Sequence, residues 1–320
     1  MRTVSIVAVM LRNETRESRA IHIAVGAVAW LVVIFSSSPI VAAEPKGFYL
    51  LQAVDRPSVR EHELKSKKVA GLSIRFSWQQ TQPAEKRYDW SFVDREIARA
   101  KSLDKQVMLR AMAGVLSPDW LYAAGANRVD SNKGRPLPVP WDPVMLEHWS
   151  NYVETLGARY ADEPALTLVH LSGPTSDSAE MHLPRSIAPT RQNVERVGRA
   201  WRETIDVYTK AFPRTPLSLN ASNPFRARDN LSQTVSQYLI EQAGERATIQ
   251  LNSLSAKTTT RFKVYAMIKR YGQSGVRVGF QMLSGSHRSR FGGSFETSLQ
   301  AGAAAKGAYY EIYRSDVGKL

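Results

Sequence analysis

Residues 71–121 read GLSIRFSWQQTQPAEKRYDWSFVDREIARAKSLDKQVMLRAMAGVLSPDWL, and this stretch decides the fold. It opens with a short apolar run, Gly71–Ser77. A polar loop follows, and then a helical pattern in which Val93 and Ile97 are four residues apart. A second apolar run, Gln106–Ala111, ends the unit. The order of strand, helix and strand predicts two parallel strands joined by a helix.

The same unit recurs along the chain without any repeat of residue identity. Eight candidate strands are short and mostly apolar, as buried parallel strands are: Gly47–Ala53, Gly71–Ser77, Gln106–Ala111, Leu166–Leu171, Pro216–Ala221, Thr248–Leu254, Val276–Leu283 and Ala308–Tyr313. Eight strands alternating with helices fit a (β/α)8 barrel, for which about 250 residues is typical. A doubly wound sheet is the alternative, but no strand is followed by its glycine-rich phosphate-binding loop. The sequence therefore predicts an α/β protein with a single-domain (β/α)8 TIM barrel.

Composition excludes several classes of chemistry. The chain has 320 residues, 43% of them hydrophobic, and no cysteine. A disulfide scaffold, a cysteine-ligated metal site and a thiol nucleophile are therefore excluded. No histidine motif of a zinc protease is present, and only Glu180 with His182 hints at a metal site. No serine-hydrolase elbow occurs either. We predict that the protein uses no metal and no cofactor.

The first 43 residues have the pattern of a secretory signal peptide. Three arginines between positions 12 and 19 precede an apolar run over 24–35, and small residues ending at Ala43 follow. The run is short for a membrane span, although an uncleaved anchor is the alternative, and Met10 is a second candidate start. We expect residues 1–43 to be removed and residues 44–320 to form an exported, periplasmic or extracellular barrel.

Several motifs follow the predicted strands in a distinctive order: Arg75 to Trp78, Gln82-Pro83, Tyr88-Asp89-Trp90, Arg110, and Ser117-Pro118-Asp119-Trp120-Leu121. Over about 60–125 this order resembles the barrel of retaining glycoside hydrolases of the clan that includes family 42 β-galactosidases. Three later pieces resemble a divergent bacterial branch of such barrels: Pro140-Trp141-Asp142-Pro143, Ser172-Gly173-Pro174 and Tyr310-Glu311-Ile312-Tyr313. The resemblance implies a barrel that hydrolyses O-glycosyl bonds of an oligo- or polysaccharide with two carboxylates.

The carboxylate pair of the clan is not intact in this sequence. The resemblance places the acid/base after an Asn at the end of the fourth strand and the nucleophile at the end of the seventh. This chain has Gly173-Pro174 at the first position and Gln281 at the second. An amide is neutral and cannot form a glycosyl ester. Hydrolysis by this chain would therefore need carboxylates from other positions.

The remaining candidates are Glu180, on the loop after the fourth strand, and Glu311 on the eighth. We predict Glu180 as the acid and Glu311 as the base or nucleophile. A carboxyl separation of about 5–5.5 Å would indicate retention, and about 6.5–9.5 Å inversion. The alternative for Glu311 is a buried carboxylate paired with Arg75 or Arg110, because buried acids are usually paired. The alternative for Glu180 is a solvated loop acid.

Substrate-binding residues are predicted at the strand-to-helix loops and strand ends. Three indoles suit the C–H face of a pyranose, namely Trp78, Trp120 and Trp141, although large apolar residues are core by default. Five polar or aromatic side chains complete the predicted site: Arg75, Arg110, His182, Gln281 and Tyr309.

The net charge is +14, from 43 Lys plus Arg and 29 Asp plus Glu. No nucleic-acid-binding motif is present, so we expect no nucleic-acid partner. A solvated basic surface is the default interpretation. The sharper alternative is an anionic glycan, with Arg185, Arg191 and the loop 288–290 bordering the mouth of the barrel.

Three hypotheses remain for the function. The first is an exported glycoside hydrolase that uses Glu180 and Glu311. The second is a catalytically decayed barrel that binds a glycan or a surface partner without cleaving it. The third is a structural barrel without a sugar site. Contact with a membrane is expected only through an uncleaved signal segment.

Export makes the first testable prediction. N-terminal sequencing of protein recovered from outside the cytoplasm should give Glu44 as the first residue, because cleavage follows a small-x-small site. Recovery of the intact apolar run 24–35 in a membrane fraction would contradict signal cleavage.

Overall fold

A computed structural model describes residues 43–175, 180–225, 230–285 and 288–320, apart from the side chains of 288 and 289. The predicted signal peptide, with the exception of Ala43, lies outside the described residues.

Eight parallel strands close into a barrel in the order β1-β2-β3-β6-β7-β8-β9-β10, and β10 pairs with β1. The two other strands, β4 and β5, form an antiparallel hairpin between β3 and β6. The strands are β1 Gly47–Leu51, β2 Val69–Ser77, β3 Gln106–Met112, β4 Arg128–Asp130, β5 Pro136–Pro138, β6 Leu166–His170, β7 Leu217–Asn220, β8 Ala247–Leu254, β9 Arg277–Met282 and β10 Gly307–Ile312. The predicted (β/α)8 barrel is confirmed, and each predicted strand is present with small shifts at its ends.

Helices pack around the barrel, and several begin at capping residues visible in the sequence. The helices are α1 Glu61–Leu64, α2 Trp78–Thr81, α3 Ser91–Lys101, α4 Trp120–Ala123, α5 Pro143–Tyr160, α6 Arg191–Ala211, α7 Leu231–Ala243, α8 Lys263–Gln273, α9 Arg288–Phe291 and α10 Phe295–Ala304. The Asp142 carboxylate caps α5 by accepting a hydrogen bond of 3.0 Å from the Met145 N–H. Among the described helices, none is long and apolar enough to cross a membrane.

The strands differ from expectation in one respect that positions the site. On β2 the alternate residues Leu72, Ile74 and Phe76 join the large apolar cluster between barrel and helices. The intervening Ser73 and Arg75 are polar. The expectation of strands that are apolar on both faces was wrong here, because the barrel interior near the carboxyl ends of the strands is polar.

Deeper in the barrel the interior is filled by two buried tyrosines and their neighbours. Two tyrosine rings, Tyr49 and Tyr309, pack edge to face with centroids 6.2 Å apart and form a small cluster with Met108 and Leu168. A Cβ atom at Gly279 would lie 2.2 Å from the Tyr309 ring, so only glycine admits that ring. This aromatic layer forms a floor beneath the polar layer.

Candidate functional site in the polar mouth of the barrel

Four polar residues define one level of the barrel near the carboxyl ends of its strands. Arg75 on β2 is in register with Arg110 on β3, and Gln281 on β9 is in register with Glu311 on β10. The structure therefore brings together four of the residues that the sequence predicted for the site.

Glu311 is completely buried and forms an ion pair with Arg110. The same carboxylate accepts hydrogen bonds from Ser73 at 2.5 Å and from the Gln250 amide at 2.7 Å. The His170 Nε2 lies 3.3 Å from the Glu311 Oε1, which is also the oxygen that accepts from Ser73. Four neighbours on four different strands thus surround the carboxylate. Of the two arginines considered as partners in the alternative interpretation, Arg110 forms the pair.

These neighbours fix the charge states of the cluster. Burial alone would raise the pKa of Glu311, but Arg110, His170 and Ser73 together hold that pKa well below its ordinary value. Burial and the adjacent Arg110 lower the pKa of His170 to about 4. At neutral pH the carboxylate is therefore ionised and the imidazole is neutral.

Arg110 also holds Gln281, since its Nη1 donates a hydrogen bond of 2.9 Å to the Gln281 Oε1. Arg75 is half-buried, and its Nε donates to the Gln52 carbonyl at 2.6 Å. Burial and the nearby Arg110 charge lower the pKa of Arg75, although a guanidinium stays protonated in proteins. Two guanidinium groups therefore face one carboxylate, which leaves this layer positively charged.

On the loop after β6, Pro174 stands where the resemblance places the clan's acid/base, and Gly173 stands where it places the preceding Asn. Gly173 has a φ of +143°, which L residues rarely adopt, and a Cβ atom there would lie 2.7 Å from the Trp149 Nε1. That Nε1 donates to the Ser172 carbonyl at 2.8 Å, so the indole is fixed in place. The glycine at 173 is thus a requirement of packing in this barrel.

Glu180 and His182 form a separate pair on the same loop. The His182 Nε2 lies 3.8 Å from a Glu180 carboxylate oxygen, and both side chains are partly exposed. Glu311, in contrast, lies inside the barrel among fixed donors. The catalytic roles predicted for Glu180 and Glu311 remain predictions, and their surroundings differ. Within the described ranges, no group of three or more His, Asp or Glu side chains is arranged to hold a metal ion.

The three predicted sugar-binding tryptophans have different environments. Trp78 is fully buried, and its Nε1 donates to the Gln82 side chain at 2.7 Å, so it has no ring face left for a sugar. Trp120 and Trp141 are half-buried. The Arg196 guanidinium covers the Trp141 ring at 5.9 Å. The expected contact of Trp78 is therefore corrected to a core role, because its indole packs against two other indoles.

Tyr309 is also a core residue. It is fully buried, its hydroxyl donates to the side-chain amide oxygen Oε1 of Gln250, and burial raises its pKa. The arginines expected at the mouth also differ in position. Arg185 and Arg191 are exposed, and Arg191 forms an ion pair with Glu195. Arg290 lines a cavity, whereas the Arg288 side chain lies outside the described residues.

That cavity has a volume of about 540 Å³ and opens beside the carboxyl ends of β7, β8 and β9. Its cationic lining consists of Lys257, Arg261, Lys263 and Arg290, and His182 also contributes to the wall. None of its described lining residues is acidic. Phe262 lies in the wall with 57% of its surface exposed, and no other large hydrophobic side chain in the described part of the chain is exposed. We call the cavity lined by these residues the mouth cavity.

Of the residues that line the mouth cavity, the sequence predicted His182 for the site and Arg290 for its border. It did not single out Phe262, which is the residue before the first turn of α8. The available signal was an aromatic residue between two cations, in the run Arg261-Phe262-Lys263.

Comparison with known proteins supports the family resemblance. Residues 54–205 match the profile of glycoside hydrolase family 42, described as beta-galactosidase. The match includes β2, β3 and β6 but ends before β9 and β10, so it does not extend to Gln281 and Glu311.

Three solved structures illustrate the shared fold. The catalytic domain of β-amylase from Paenibacillus polymyxa is 11% identical, with a TM-score of 0.55 over 86% of this chain and 94% of that chain. The β-galactosidase from the psychrophilic Marinomonas ef1 is 12% identical, with a TM-score of 0.57 over 84% of this chain and 54% of that chain. The intracellular xylanase TsXylA from Thermoanaerobacterium saccharolyticum is 11% identical, with a TM-score of 0.52 over 84% and 85%. The chain therefore resembles the (β/α)8-barrel glycoside hydrolases at low identity, as the sequence predicted.

The buried ion pair predicts a characteristic pattern of stabilities. Glu311→Gln leaves Arg110 buried without a counter-charge and should lower the free energy of unfolding by about 3–5 kcal/mol. The double variant Arg110→Met/Glu311→Leu should be more stable than Glu311→Gln, because no unpaired charge remains on these two strands. Urea unfolding measures both. The exposed pair of Glu154 with Lys210 provides the control, since Glu154→Gln should cost less than about 1 kcal/mol.

The lowered pKa of His170 predicts how the stability of the protein depends on pH. Its pKa is about 4 in the folded protein and about 6.5 in an unfolded chain. Between these values the unfolded chain binds a proton that the folded chain does not, so stability should fall as the pH falls from about 6.5 to about 4. His170→Gln should remove up to about 3 kcal/mol of this change. His62→Gln, at an exposed position, should keep the wild-type slope; equal slopes in both variants would contradict the assignment.

Proposed function

We propose that this protein is an exported barrel that binds anionic oligo- or polysaccharides. We further propose that it does not cleave them, because it has no catalytic pair of carboxylates at its centre. The observation that carries this proposal is the state of Glu311, which is fully buried and paired with Arg110. A nucleophile must reach the anomeric carbon of a sugar. This carboxylate is instead enclosed by donors from four strands.

The positions of the clan's own carboxylates support binding over cleavage. Gln281 supplies a neutral amide, and its oxygen is occupied by Arg110. Pro174 stands where the clan's acid/base would be, and the preceding Gly173 has no room for a side chain beside Trp149. Retaining hydrolysis needs two carboxylates about 5–5.5 Å apart. Neither of the two positions supplies one.

The lining of the mouth cavity supports a carbohydrate as the ligand. An exposed aromatic ring such as Phe262 offers an apolar face to the C–H groups of a pyranose. Hydroxyl side chains nearby, among them Ser253, Ser255 and Thr258, can bond to sugar hydroxyls. An apolar platform with a few polar groups is typical of a small-molecule site.

The charge of the cavity supports an anionic ligand. Arg261, Lys263 and Arg290 form no ion pair with an acidic residue of the described part of the chain. A guanidinium group binds a carboxylate or sulfate with two parallel hydrogen bonds. Helix α8 begins at Lys263, so its positive end adds to the field. A concave surface lined by one sign of charge concentrates the oppositely charged ligand.

Hydrolysis with a relocated acid is the second candidate. His182 lines the mouth cavity and lies 3.8 Å from Glu180. Glu180 can therefore reach the edge of a ligand in that cavity, with the imidazole as a polar neighbour. In this case Glu180 would donate a proton to the leaving oxygen.

Calorimetric titration tests the proposal with digalacturonate and a neutral galactose disaccharide as the probes. The uronate should bind more tightly, and its affinity should decrease with salt because exposed charges are screened over about 10 Å at 0.1 M. Arg261→Gln should lower the affinity for the uronate by about threefold to tenfold, as expected for loss of one partly exposed charged contact. Lys67→Gln, an exposed lysine outside the cavity, serves as the charge-matched control.

A parallel assay for new reducing ends on polygalacturonate separates the two candidates. No release is expected from the wild type. Release that Glu180→Gln abolishes would replace the binding proposal with hydrolysis. Equal affinity for the uronate and the neutral disaccharide at low salt would overturn the anionic specificity.

A further inference from the structure

Two further cavities lie next to one another beyond the mouth cavity, on the outside of the barrel. The second cavity, of about 270 Å³, shares Asn223, Lys263 and Val264 with the mouth cavity. The third cavity, of about 480 Å³, shares Asn230 and Gln233 with the second. Because neighbouring cavities share wall residues, they lie side by side from the barrel mouth across the beginning of α7 to the α6–α7 surface, and we call this row of cavities the α7 groove.

Helix α7 supplies the floor of the outer groove. The side chains facing it follow helical spacing, which places them in one stripe: Asn230, Gln233, Thr234, Gln237, Tyr238 and Glu241. From Asn230 to Glu241 the stripe is about 16 Å long at 1.5 Å rise per residue. The mouth cavity adds to this length. The groove is therefore much longer than one sugar ring.

The chemistry of this stripe differs from that of an ordinary solvated helix face. Exposed helix faces usually carry many charged residues, yet Glu241 is the only charged residue in α7. Amide and hydroxyl groups both donate and accept hydrogen bonds, as sugar hydroxyls do. Ser232 is buried in the wall of the second cavity, and its hydroxyl has no hydrogen-bond partner among the described residues.

Cations accompany the amides along the groove. Arg270 lines the second cavity, and Arg202 from α6 lines the third. Arg270 extends the cations of the mouth cavity toward α7, whereas Arg202 lies close to the Tyr238 hydroxyl, which donates to the Asp206 carboxylate at 2.8 Å. Glu241, at the far end of the stripe, is the one acidic residue among the described walls of the three cavities.

We infer that the ligand is a polymer: an acidic polysaccharide chain that occupies the mouth cavity with one end and extends along the α7 groove. This inference rests on the proposed function and adds the size of the ligand and the path it takes. The amides and cations of the three cavities can bond to the hydroxyl and carboxylate groups of a repeating chain, whereas a single acidic sugar would occupy only the mouth cavity.

Chain-length dependence of binding tests the inference with digalacturonate and octagalacturonate. The octamer should bind at least tenfold more tightly. An octamer can also occupy a short site in several registers, which by itself raises its apparent affinity. The variants distinguish this statistical gain from contacts along the α7 groove. Arg202→Glu should weaken octamer binding by about fivefold to tenfold, because attraction becomes repulsion at a partly exposed contact. The same variant should leave dimer binding unchanged, since Arg202 lies outside the mouth cavity.

Two further variants complete the experiment. Gln233→Ala/Gln237→Ala removes hydrogen-bonding groups without changing the charge and should weaken only the octamer. Lys67→Glu makes the same charge change as Arg202→Glu outside the groove and should have a much smaller effect. Equal loss of octamer affinity in Lys67→Glu and Arg202→Glu would overturn the groove. If the dimer binds and the octamer gains nothing, the inference fails and the proposed function stands; if neither binds, the proposed function fails.

Discussion

The ion pair between Glu311 and Arg110 is the interaction on which the polar half of this barrel depends. It joins β10 to β3 within the barrel, and Ser73, Gln250 and His170 connect it to three more strands. A buried carboxylate without a partner would cost several kcal/mol. The surrounding donors therefore have to be present together. Once they are, the carboxylate is fixed in charge and position.

The chain shares its fold with the proteins that it resembles but has different groups at the ends of its strands. A (β/α)8 barrel places functional groups at the carboxyl ends of its strands, and the same fold supports different functions by changing those groups. Here the resemblance places Gln281 and Gly173-Pro174 at the clan's two catalytic positions. Gln281 accepts a hydrogen bond from Arg110, and Trp149 leaves no room for a side chain at Gly173. In the central layer, Arg110 thus joins Gln281 to Glu311.

The proposed binding site lies to one side of the barrel. The mouth cavity lies beside β7, β8 and β9, and its cations and exposed Phe262 come mainly from the segment between β8 and α8. Long loops at this end of a barrel are where functional groups accumulate. The net positive layer inside the barrel and the cationic cavity outside it have the same sign. An anionic ligand would be attracted to this face as a whole.

The fold and part of the site could be predicted from local sequence patterns. Apolar runs alternating with helical patterns predicted the eight barrel strands, because both signals are local and repeat along the chain. The resemblance to the clan also identified the amide at Gln281 and the missing carboxylate at Gly173-Pro174. Only the tertiary structure decided that Glu311 pairs with Arg110 and that Arg75 does not supply the ion pair. That choice depends on which inward side chains the closed barrel brings together, and no local pattern specifies it. The same holds for Trp78, which packing buries, and for Phe262, which packing leaves exposed.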